Sequence, residues 1–374
     1  MKIAVNTRWL LPNKLEGFGW YTYHILSRLA DKFPQASFVG LNDRQIETPL
    51  IEKINVEFVH VLPPARHPIL WTVWNQYAVP LALRKIKPDL YFSPDGFLPY
   101  RLNIPKVTTI HDLNFEENAQ YIDPRVEAYY RKHIRKSAEV ADHIFTVSDF
   151  SKHDIEQRYG IAKHKVTRIY NGPQKVFDDL HQQRKSVQQR YASDHPYFLF
   201  VGAQNPRKNL HRIFKAFDGF KEKHGTPHKL VLVGEKMMWD EQIDMAFKNM
   251  VHQADVIFTG RLPEHELNRV YSAATALVYP SLFEGFGMPI IEAFASGTPV
   301  ITSLSSSMPE IAGDAALLID PTRMEELVMA MEKIAFDADI ASDLIDKGFA
   351  RARAFDWDHA AEQTAEIIKS IHYA

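Results

Sequence analysis

Two glutamates and two glycines lie within one segment, Tyr279–Ala293, whose residue types suit a ligand rich in hydroxyl and phosphate groups. Gly285 and Gly287 follow a predicted strand, where glycine lets the backbone approach a ligand closely. Glu284 lies in the loop and Glu292 in the first turn of the next helix, so both can face one side. Carboxylates accept hydrogen bonds from hydroxyl groups, so the pair suits sugar and ribose rings. The alternative is one turn residue and one surface glutamate favoured by the helix dipole.

Two cations adjoin a predicted helix start in the segment Phe200–Leu210. A strand ends at Gly202, and a helix is predicted to begin after Asn209, whose side chain can cap the free amides. Arg207 and Lys208 then lie at a helix N-terminus, where cations oppose the helix dipole. Their placement makes sense if a phosphate binds, because the amides, the dipole and both cations would converge on it. The alternative is two solvated charges on a loop.

Two further segments of interest follow strands in the N-terminal half. His111, next to Asp112, comes just after a strand and can face a ligand, although a lone histidine is more often structural. Gly17 and Gly19 form only part of a dinucleotide-binding pattern, because Thr22 stands where the third glycine would be. That segment is interpreted as a flexible loop before a helix.

The composition of the chain excludes several classes of protein. Its 374 residues contain 44 Lys+Arg and 46 Asp+Glu, with a net charge of −2 and no cysteine. The near balance of charge removes the simplest argument for nucleic-acid binding. Without cysteine there is no disulfide framework or thiolate-bound zinc. No signal-peptide core or span of about 20 apolar residues is found, so we expect a cytoplasmic location.

Other catalytic patterns are missing or lie in the wrong context. The sequence has no Walker A motif, no Gly-x-Ser-x-Gly elbow and no His-Glu-x-x-His motif. Asp337-Ala-Asp339 and Asp356-Trp-Asp358 imitate an Asp-x-Asp metal-binding motif. Neither follows a strand, so both are interpreted as surface carboxylates.

Short apolar runs alternate with helix-period segments, which predicts two doubly wound parallel sheets with a cleft between them. The polar stretch Phe177–Ser193 separates the two series, so the domains are predicted at 1–190 and 191–356. Ligands bind at the carboxyl ends of such strands, where all the segments above lie. The predicted strands are Ile3–Val5, Phe38–Leu41, Val56–Val61, Leu90–Ser93, Val107–Ile110, Ile144–Ser148, Val166–Tyr170, Tyr197–Gly202, Leu230–Gly234, Val256–Gly260, Ala276–Tyr279, Pro299–Thr302 and Ala316–Ile319.

The segment Glu284–Glu292, continued to Ile301, closely resembles glycosyltransferase family 4. Members of that family are retaining, nucleotide-sugar-dependent enzymes with the GT-B fold, two Rossmann-like domains with an interdomain cleft. The resemblance covers nearly the whole chain. It extends over Gly17–Gly19, His111–Leu113, Val147–Lys152, Tyr170–Gly172, Gly202–Asn209 and Pro309–Asp314.

The resemblance implies a donor site in the C-terminal domain. Arg207 and Lys208 are similar to the residues that bind the donor pyrophosphate, and Glu292 to the glutamate that binds the ribose. Arg261 stands where the family holds the base. The N-terminal domain would bind the acceptor, and a C-terminal helix at about 357–374 would pack back on it.

The resemblance also assigns residues around the reacting sugar. Glu284 would hold the donor sugar and its phosphate together with the backbone of three neighbours, Phe286, Gly287 and Met288. His111 is similar to the histidine that contacts the donor sugar near the reacting carbon. Gly17 and Gly19 resemble the loop near the diphosphate and the acceptor, although Glu16 stands where many relatives have a further glycine. The expected catalytic residues are therefore His111, Glu284, Arg207 and Lys208.

The expected partners follow from the same likeness. His111–Phe115 and Asn205–Asn209 look most like the mannosyltransferases of surface-polysaccharide assembly, which favours GDP-mannose as donor and leaves a UDP-sugar as the alternative. We expect a glycan or lipid-linked acceptor, no metal or other cofactor, and no nucleic acid. The basic, aromatic segment Tyr129–Lys136 could meet an anionic lipid surface at the inner face of the membrane. Its alternative is a solvated helix face.

Three functions are left open by the sequence. The first is a metal-independent retaining glycosyltransferase (a hexosyltransferase), in which the acceptor attacks from the face that the diphosphate leaves. The second is a sugar-nucleotide epimerase of the same fold, which would convert the donor without an acceptor. The third is a non-catalytic sugar-nucleotide-binding subunit, which would bind donor without turnover.

Overall fold

Every strand predicted from the sequence overlaps a strand of the computed structural model, which describes residues 1–12, 15–173 and 184–373. Chain contacts divide the protein into two units. The first is Met1–Asn171 together with Asp356–Ala374, and the second is Gly172–Phe355. Within the described residues, none of the helices combines the length and apolar character needed to cross a bilayer.

The first unit contains a seven-stranded parallel sheet among its described residues, in the order β3-β2-β1-β4-β5-β6-β7. Its central strands are buried and apolar because helices cover both faces of a doubly wound sheet. The strands are β1 Lys2–Asn6, β2 Ser37–Asn42, β3 Val56–His60, β4 Leu90–Ser93, β5 Lys106–Thr109, β6 His143–Thr146 and β7 Val166–Arg168. The helices are α1 Gly17–Lys32, α2 Pro68–Val73, α3 Val79–Ile86, α4 Asn114–Glu117, α5 Pro124–Val140, α6 Asp149–Tyr159 and the C-terminal α15 Trp357–Tyr373.

Helix α15 packs against α1 within the first unit. Trp357 stacks on His24, with ring centroids 4.6 Å apart, and meets Tyr21 edge-on at 5.9 Å. Asp358 pairs with Arg28 at 2.7 Å. The last helix therefore completes the core of the first unit, although 184 residues of the second unit, Gly172–Phe355, precede it in the chain.

The second unit holds six parallel strands among its described residues, in the order β10-β9-β8-β11-β12-β13. The strands are β8 Tyr197–Val201, β9 Lys229–Val233, β10 Val256–Gly260, β11 Ala276–Tyr279, β12 Val300–Ser303 and β13 Leu317–Ile319. The helices are α7 Arg184–Ala192, α8 Leu210–His224, α9 Glu241–Lys248, α10 Glu264–Ala273, α11 Met288–Ala295, α12 Met308–Ala312, α13 Met324–Phe336 and α14 Ala338–Ala352. Both units are thus Rossmann-like.

Helix α7 belongs to the second unit, whereas the sequence placed the boundary near residue 190. On α7, Arg190 and Tyr191 both bond Glu266 of α10, at 3.1 and 2.8 Å. These contacts attach the polar helix α7 to α10 of the second unit, so the boundary between the units falls before α7. Residues 177–183 of the predicted polar linker lie outside the described residues.

Candidate functional site

The glycine loop between β11 and α11 is held in place by a serine pair from the loop before α12. Ser307 Oγ donates to the carbonyl oxygens of Glu284 and Phe286, at 2.9 and 3.0 Å. The backbone amide of Glu284 donates to Ser306 Oγ at 2.9 Å. Gly287 has φ +102°, a conformation that favours glycine, and directly precedes α11. The loop is therefore fixed with its last amides at the N-terminus of α11, which Met288 begins.

Glu284 brings together the two cations that the sequence singled out. Its Oε1 accepts from Arg207 at 2.8 Å and from Lys208 at 2.6 Å. Lys208 also bonds the hydroxyl of Tyr279, and the Arg207 side chain bonds the carbonyl of Phe283. Burial alone would raise the pKa of Glu284, but the two adjacent cations outweigh it and lower that pKa to about 2. The three charged side chains therefore sum to a formal charge of +1, which suits an anion.

The turn that presents these cations differs from the prediction. Pro206–Lys208 forms a 3₁₀ turn capped by Asn205, whose Oδ1 accepts from the Lys208 amide at 3.3 Å. Asn209 does not cap α8, so that prediction is wrong. Its φ of +64° directs the side chain elsewhere, and its Nδ2 donates to the carbonyls of Pro280 and Pro321 at 3.0 and 2.7 Å. Asn209 thereby attaches the cation turn to the end of β11.

Glu292 lies in the second turn of α11, not the first as predicted. Its Oε2 accepts from the hydroxyl of Tyr271 at 2.8 Å. Burial raises the pKa of Glu292 to about 7, although the Tyr271 hydrogen bond acts in the opposite direction. A carboxyl group whose pKa lies near neutral pH can accept hydrogen bonds from ligand hydroxyls once it is ionised.

Glu292→Gln is expected to raise the unfolding temperature at pH 8.5 and to leave it nearly unchanged at pH 4. A raised folded-state pKa stabilises the protein below the unfolded value of about 4.5, and this stabilisation is lost as the pH rises through about 7. Glutamine stays neutral and can still accept from Tyr271. Scanning calorimetry at the two pH values tests this. An equal shift at both would contradict a titrating Glu292.

Arg261 directly follows β10, and its side chain is exposed at the same edge of the second sheet. This is the position that the family resemblance assigns to the base. Its proposed role toward the base therefore rests on position alone.

His111 follows β5 and is half-buried against α1 in the first unit. Its ring meets Tyr21 and Phe18 edge-on, with centroids 4.7 and 4.9 Å away. Its Nε2 bonds the carbonyl oxygen of Pro94 at 2.9 Å, and because a carbonyl only accepts, the proton is on Nε2. Burial lowers the pKa of His111. The ring is therefore neutral at pH 7, with the lone pair on Nδ1.

A buried ion pair fixes the strand end that holds His111, and sequence reasoning missed it. Asp95 follows Pro94 and accepts from Arg8, Trp9 and Asn6 at 3.2, 3.1 and 2.9 Å. The Arg8 and Asp95 side chains are 3% and 2% exposed. Removing one member of a buried pair typically costs about 3–5 kcal/mol, so this network holds the ends of β1 and β4 together firmly.

Gly17 and Gly19 lie in the first turn of α1, so the prediction of a loop before the helix is wrong. At Gly19 a Cβ atom would lie 2.6 Å from the carbonyl oxygen of Trp9 and 2.8 Å from Leu15. At Gly17 a Cβ atom would meet nothing within 4 Å. Gly19 is thus required for packing, whereas Gly17 leaves open space at the helix start.

Two sequence comparisons identify the family. The family model described as "Glycosyltransferase Family 4" matches residues 16–173, and the model described as "Glycosyl transferases group 1" matches residues 181–351. O-antigen chain mannosyltransferase B of Escherichia coli is 27% identical over 96% of this chain and 97% of its own length. O-antigen chain mannosyltransferase RfbU of Salmonella typhimurium is 30% identical over 70% of each chain. The chain belongs to glycosyltransferase family 4.

Solved structures show that this family 4 glycosyltransferase has the GT-B fold. Sucrose-phosphate synthase from Thermosynechococcus elongatus superposes with a TM-score of 0.81, at 20% identity over 99% of both chains. WaaG, a glycosyltransferase involved in lipopolysaccharide biosynthesis, superposes with a TM-score of 0.78, at 17% identity over 98% of this chain and 99% of the WaaG chain. HepE from Anabaena, in complex with UDP-glucose, superposes with a TM-score of 0.75, at 17% identity over 99% of this chain and 100% of the HepE chain.

The two Asp-x-Asp segments of this glycosyltransferase cap helices. Asp337 accepts from the amides that begin α14, and Asp356 from those that begin α15. All four carboxylates are exposed, as the surface interpretation predicted. Over residues 1–12, 15–173 and 184–373, no three acidic or histidine side chains are grouped to hold a metal. Metal independence stays a prediction.

Proposed function

We propose that this glycosyltransferase transfers mannose from GDP-mannose to a hydroxyl group of a glycan or lipid-linked acceptor, with retention of configuration. The observation that carries the proposal is the Arg207–Lys208–Glu284 cluster beside the N-terminus of α11. Its net charge of +1 suits a diphosphate, and its carboxylate suits a sugar hydroxyl. The relatives named O-antigen mannosyltransferases support mannose over other sugars.

The second unit would bind the donor through successive parts of the nucleotide sugar. Arg207 and Lys208 contact the diphosphate, and the amides of Gly287 and Met288 add the partial positive charge of a helix N-terminus. Glu292 accepts from the ribose hydroxyls. Two further contacts are proposed from the family resemblance, namely Arg261 to the base and the Phe286 backbone to the phosphate.

The first unit would bind the acceptor and supply one further contact to the donor sugar. His111, neutral and fixed by Pro94, contacts the donor sugar near its anomeric carbon. The open space at Gly17 leaves the start of α1 accessible to a diphosphate or acceptor group.

Retention follows from attack on the face that the leaving group vacates. The bond from the anomeric carbon to the phosphate oxygen breaks, and its electron pair stays on the departing GDP. The acceptor oxygen bonds to the same face of that carbon, while its proton passes to the leaving phosphate oxygen. Arg207, Lys208 and the α11 amides stabilise the charge that develops on the diphosphate. Glu284 is ion-paired with both cations, which supports a binding role rather than a nucleophilic one.

Product analysis by NMR tests this function. The protein is incubated with GDP-mannose labelled with ¹³C at C1 and a panel of small glycosides and polyprenyl-linked acceptors. The one-bond carbon–proton coupling at C1 reports the new linkage, and an α-linked mannoside is expected. A β-linked product would contradict retention. Epimerised nucleotide sugar formed without acceptor would indicate the epimerase, and donor binding without turnover on any acceptor would indicate a non-catalytic subunit.

A further inference from the structure

An apolar stripe runs along the outer face of the helical segment between β3 and β4 in the first unit. Ile69, Val73, Tyr77 and Leu81 are 72%, 36%, 66% and 57% exposed. They recur every fourth residue through α2, the π-helical turn Trp74–Ala78 and α3. An α turn has about 3.6 residues, so a spacing of four drifts around an ordinary helix. The wider π turn rotates less per residue and offsets this drift, which keeps the four side chains on one face.

The stripe is not part of the core, because the opposite face of the same segment carries the packing. Trp74 is fully buried and its Nε1 donates to the carbonyl of Val61 at 2.8 Å. Trp71 Nε1 likewise donates to the carbonyl of Ala65 at 2.8 Å. Val79 and Leu83 are buried. Several large apolar side chains therefore face solvent on a helix that is already well anchored.

The charged residues of this helical segment itself all have one sign. Residues 58–88 contain no aspartate or glutamate. Arg66 lies before α2, and Arg84, Lys85 and Lys87 lie at the end of α3, all exposed. An apolar stripe with basic residues at both ends is the pattern of a helix that lies in a membrane interface.

Helix α5 packs against the other face of α2, and it carries the segment Tyr129–Lys136 that the sequence proposed as a lipid contact. Tyr129 is buried, and its ring meets Trp71 of α2 at 5.1 Å, so this aromatic residue of the segment Tyr129–Lys136 packs inward. Arg131 pairs with Glu127 and Glu116 at 2.6 and 3.2 Å, which reduces the positive charge of α5. The apolar contact with lipid is therefore expected from the α2–α3 stripe instead.

We propose that this stripe (Ile69, Val73, Tyr77 and Leu81) docks on the surface of an anionic phospholipid bilayer. The apolar side chains would enter the boundary between headgroups and acyl chains, and the flanking cations would contact lipid phosphates. A second copy of the chain is a poorer occupant. A two-fold interface would place the basic ends of two identical faces near one another, where like charges repel.

Vesicle sedimentation tests the proposal. The parent protein is expected to sediment with phosphatidylglycerol-containing vesicles at low salt, weakly with phosphatidylcholine vesicles, and less as salt rises. Ile69→Ser combined with Tyr77→Ser and Leu81→Ser should weaken binding by roughly tenfold or more. The matched control replaces three exposed apolar residues elsewhere by serine, namely Ile54, Met245 and Met329, and should bind as the parent does.

The outcomes separate this inference from the proposed function. The circular dichroism spectrum and the GDP titration of the stripe variant should match those of the parent. Its weaker vesicle binding would then not be caused by unfolding. No sedimentation of the parent at low salt would overturn the proposal, as would an equal loss in the control variant. A dimer in ultracentrifugation that the stripe variant abolishes, without vesicle binding, would overturn it in favour of a second copy. If the parent protein bound vesicles but did not bind GDP, this inference would stand and the proposed donor site would be refuted.

Discussion

Replacement of Lys208 by alanine is expected to lower the rate of sugar transfer by roughly 10²–10³-fold. The ammonium group lies 2.6 Å from Glu284 and bonds the Tyr279 hydroxyl, so its position is fixed before donor arrives. A fixed cation stabilises the charge that grows on a departing diphosphate without reorganising during the reaction. Without it, Arg207 and Glu284 sum to zero and the attraction for an anion is lost. Initial rates over a range of donor concentrations give both kcat and kcat/KM.

Lys215→Ala is the matched control for Lys208→Ala. Lys215 is an exposed lysine on α8, one helix turn or more beyond the cation turn. Its removal changes the net charge equally, and the rate should stay within about twofold of the parent, as is usual for exposed surface positions. If both variants lost activity alike, the effect would be one of overall charge. If Lys208→Ala kept full activity, the diphosphate role would be refuted.

His111→Ala is expected to lower kcat by roughly 10²-fold while leaving the donor dissociation constant nearly unchanged. The histidine lies in the first unit, whereas the proposed donor contacts lie in the second, so its loss affects the reacting sugar more than nucleotide binding. Burial lowers the pKa of its ring, so an acidic limb of the rate that comes from His111 should lie below the range of an ordinary imidazole. Single-turnover rates and calorimetric titration separate the two effects.

His153→Ala provides the comparison for His111→Ala, because His153 is exposed on α6 of the same unit. Thermal unfolding should be recorded for both, since the His111 ring also packs on Phe18 and Tyr21. A lowered unfolding temperature with full activity would show that His111 is structural, and an unchanged temperature with full activity would refute any role in the reaction. Weaker donor binding at an unchanged kcat would place its contact on the nucleotide instead.

The sheets could be predicted because local patterns determine them. Buried parallel strands such as Leu90–Ser93 and Ala276–Tyr279 are short apolar runs, and their observed bounds equal the predicted ones. The glycine loop at Gly285–Gly287 and the cations Arg207 and Lys208 were found because their residue types are unusual directly after strands. The structure then joins them through Glu284, as one cluster.

The features of the site that the sequence did not predict depend on contacts between residues distant in sequence. Ser306 and Ser307 hold the glycine loop from 20 or so residues away, and nothing in a serine-rich run predicts that partner. Tyr271, which bonds Glu292, lies on another helix. Asn209 was predicted as a cap from residue type alone, but its left-handed backbone directs the side chain toward other carbonyls.

Calorimetric titration with GDP, UDP and ADP, with and without EDTA, tests the central claim most directly. We expect GDP to bind at least tenfold more tightly than UDP or ADP, with EDTA changing nothing. Glu292→Ala and Lys208→Ala should each weaken the binding of GDP. If the folded protein bound none of the three nucleotides, or if both variants bound GDP as the parent does, the cluster around Glu284 would not be a nucleotide-sugar site.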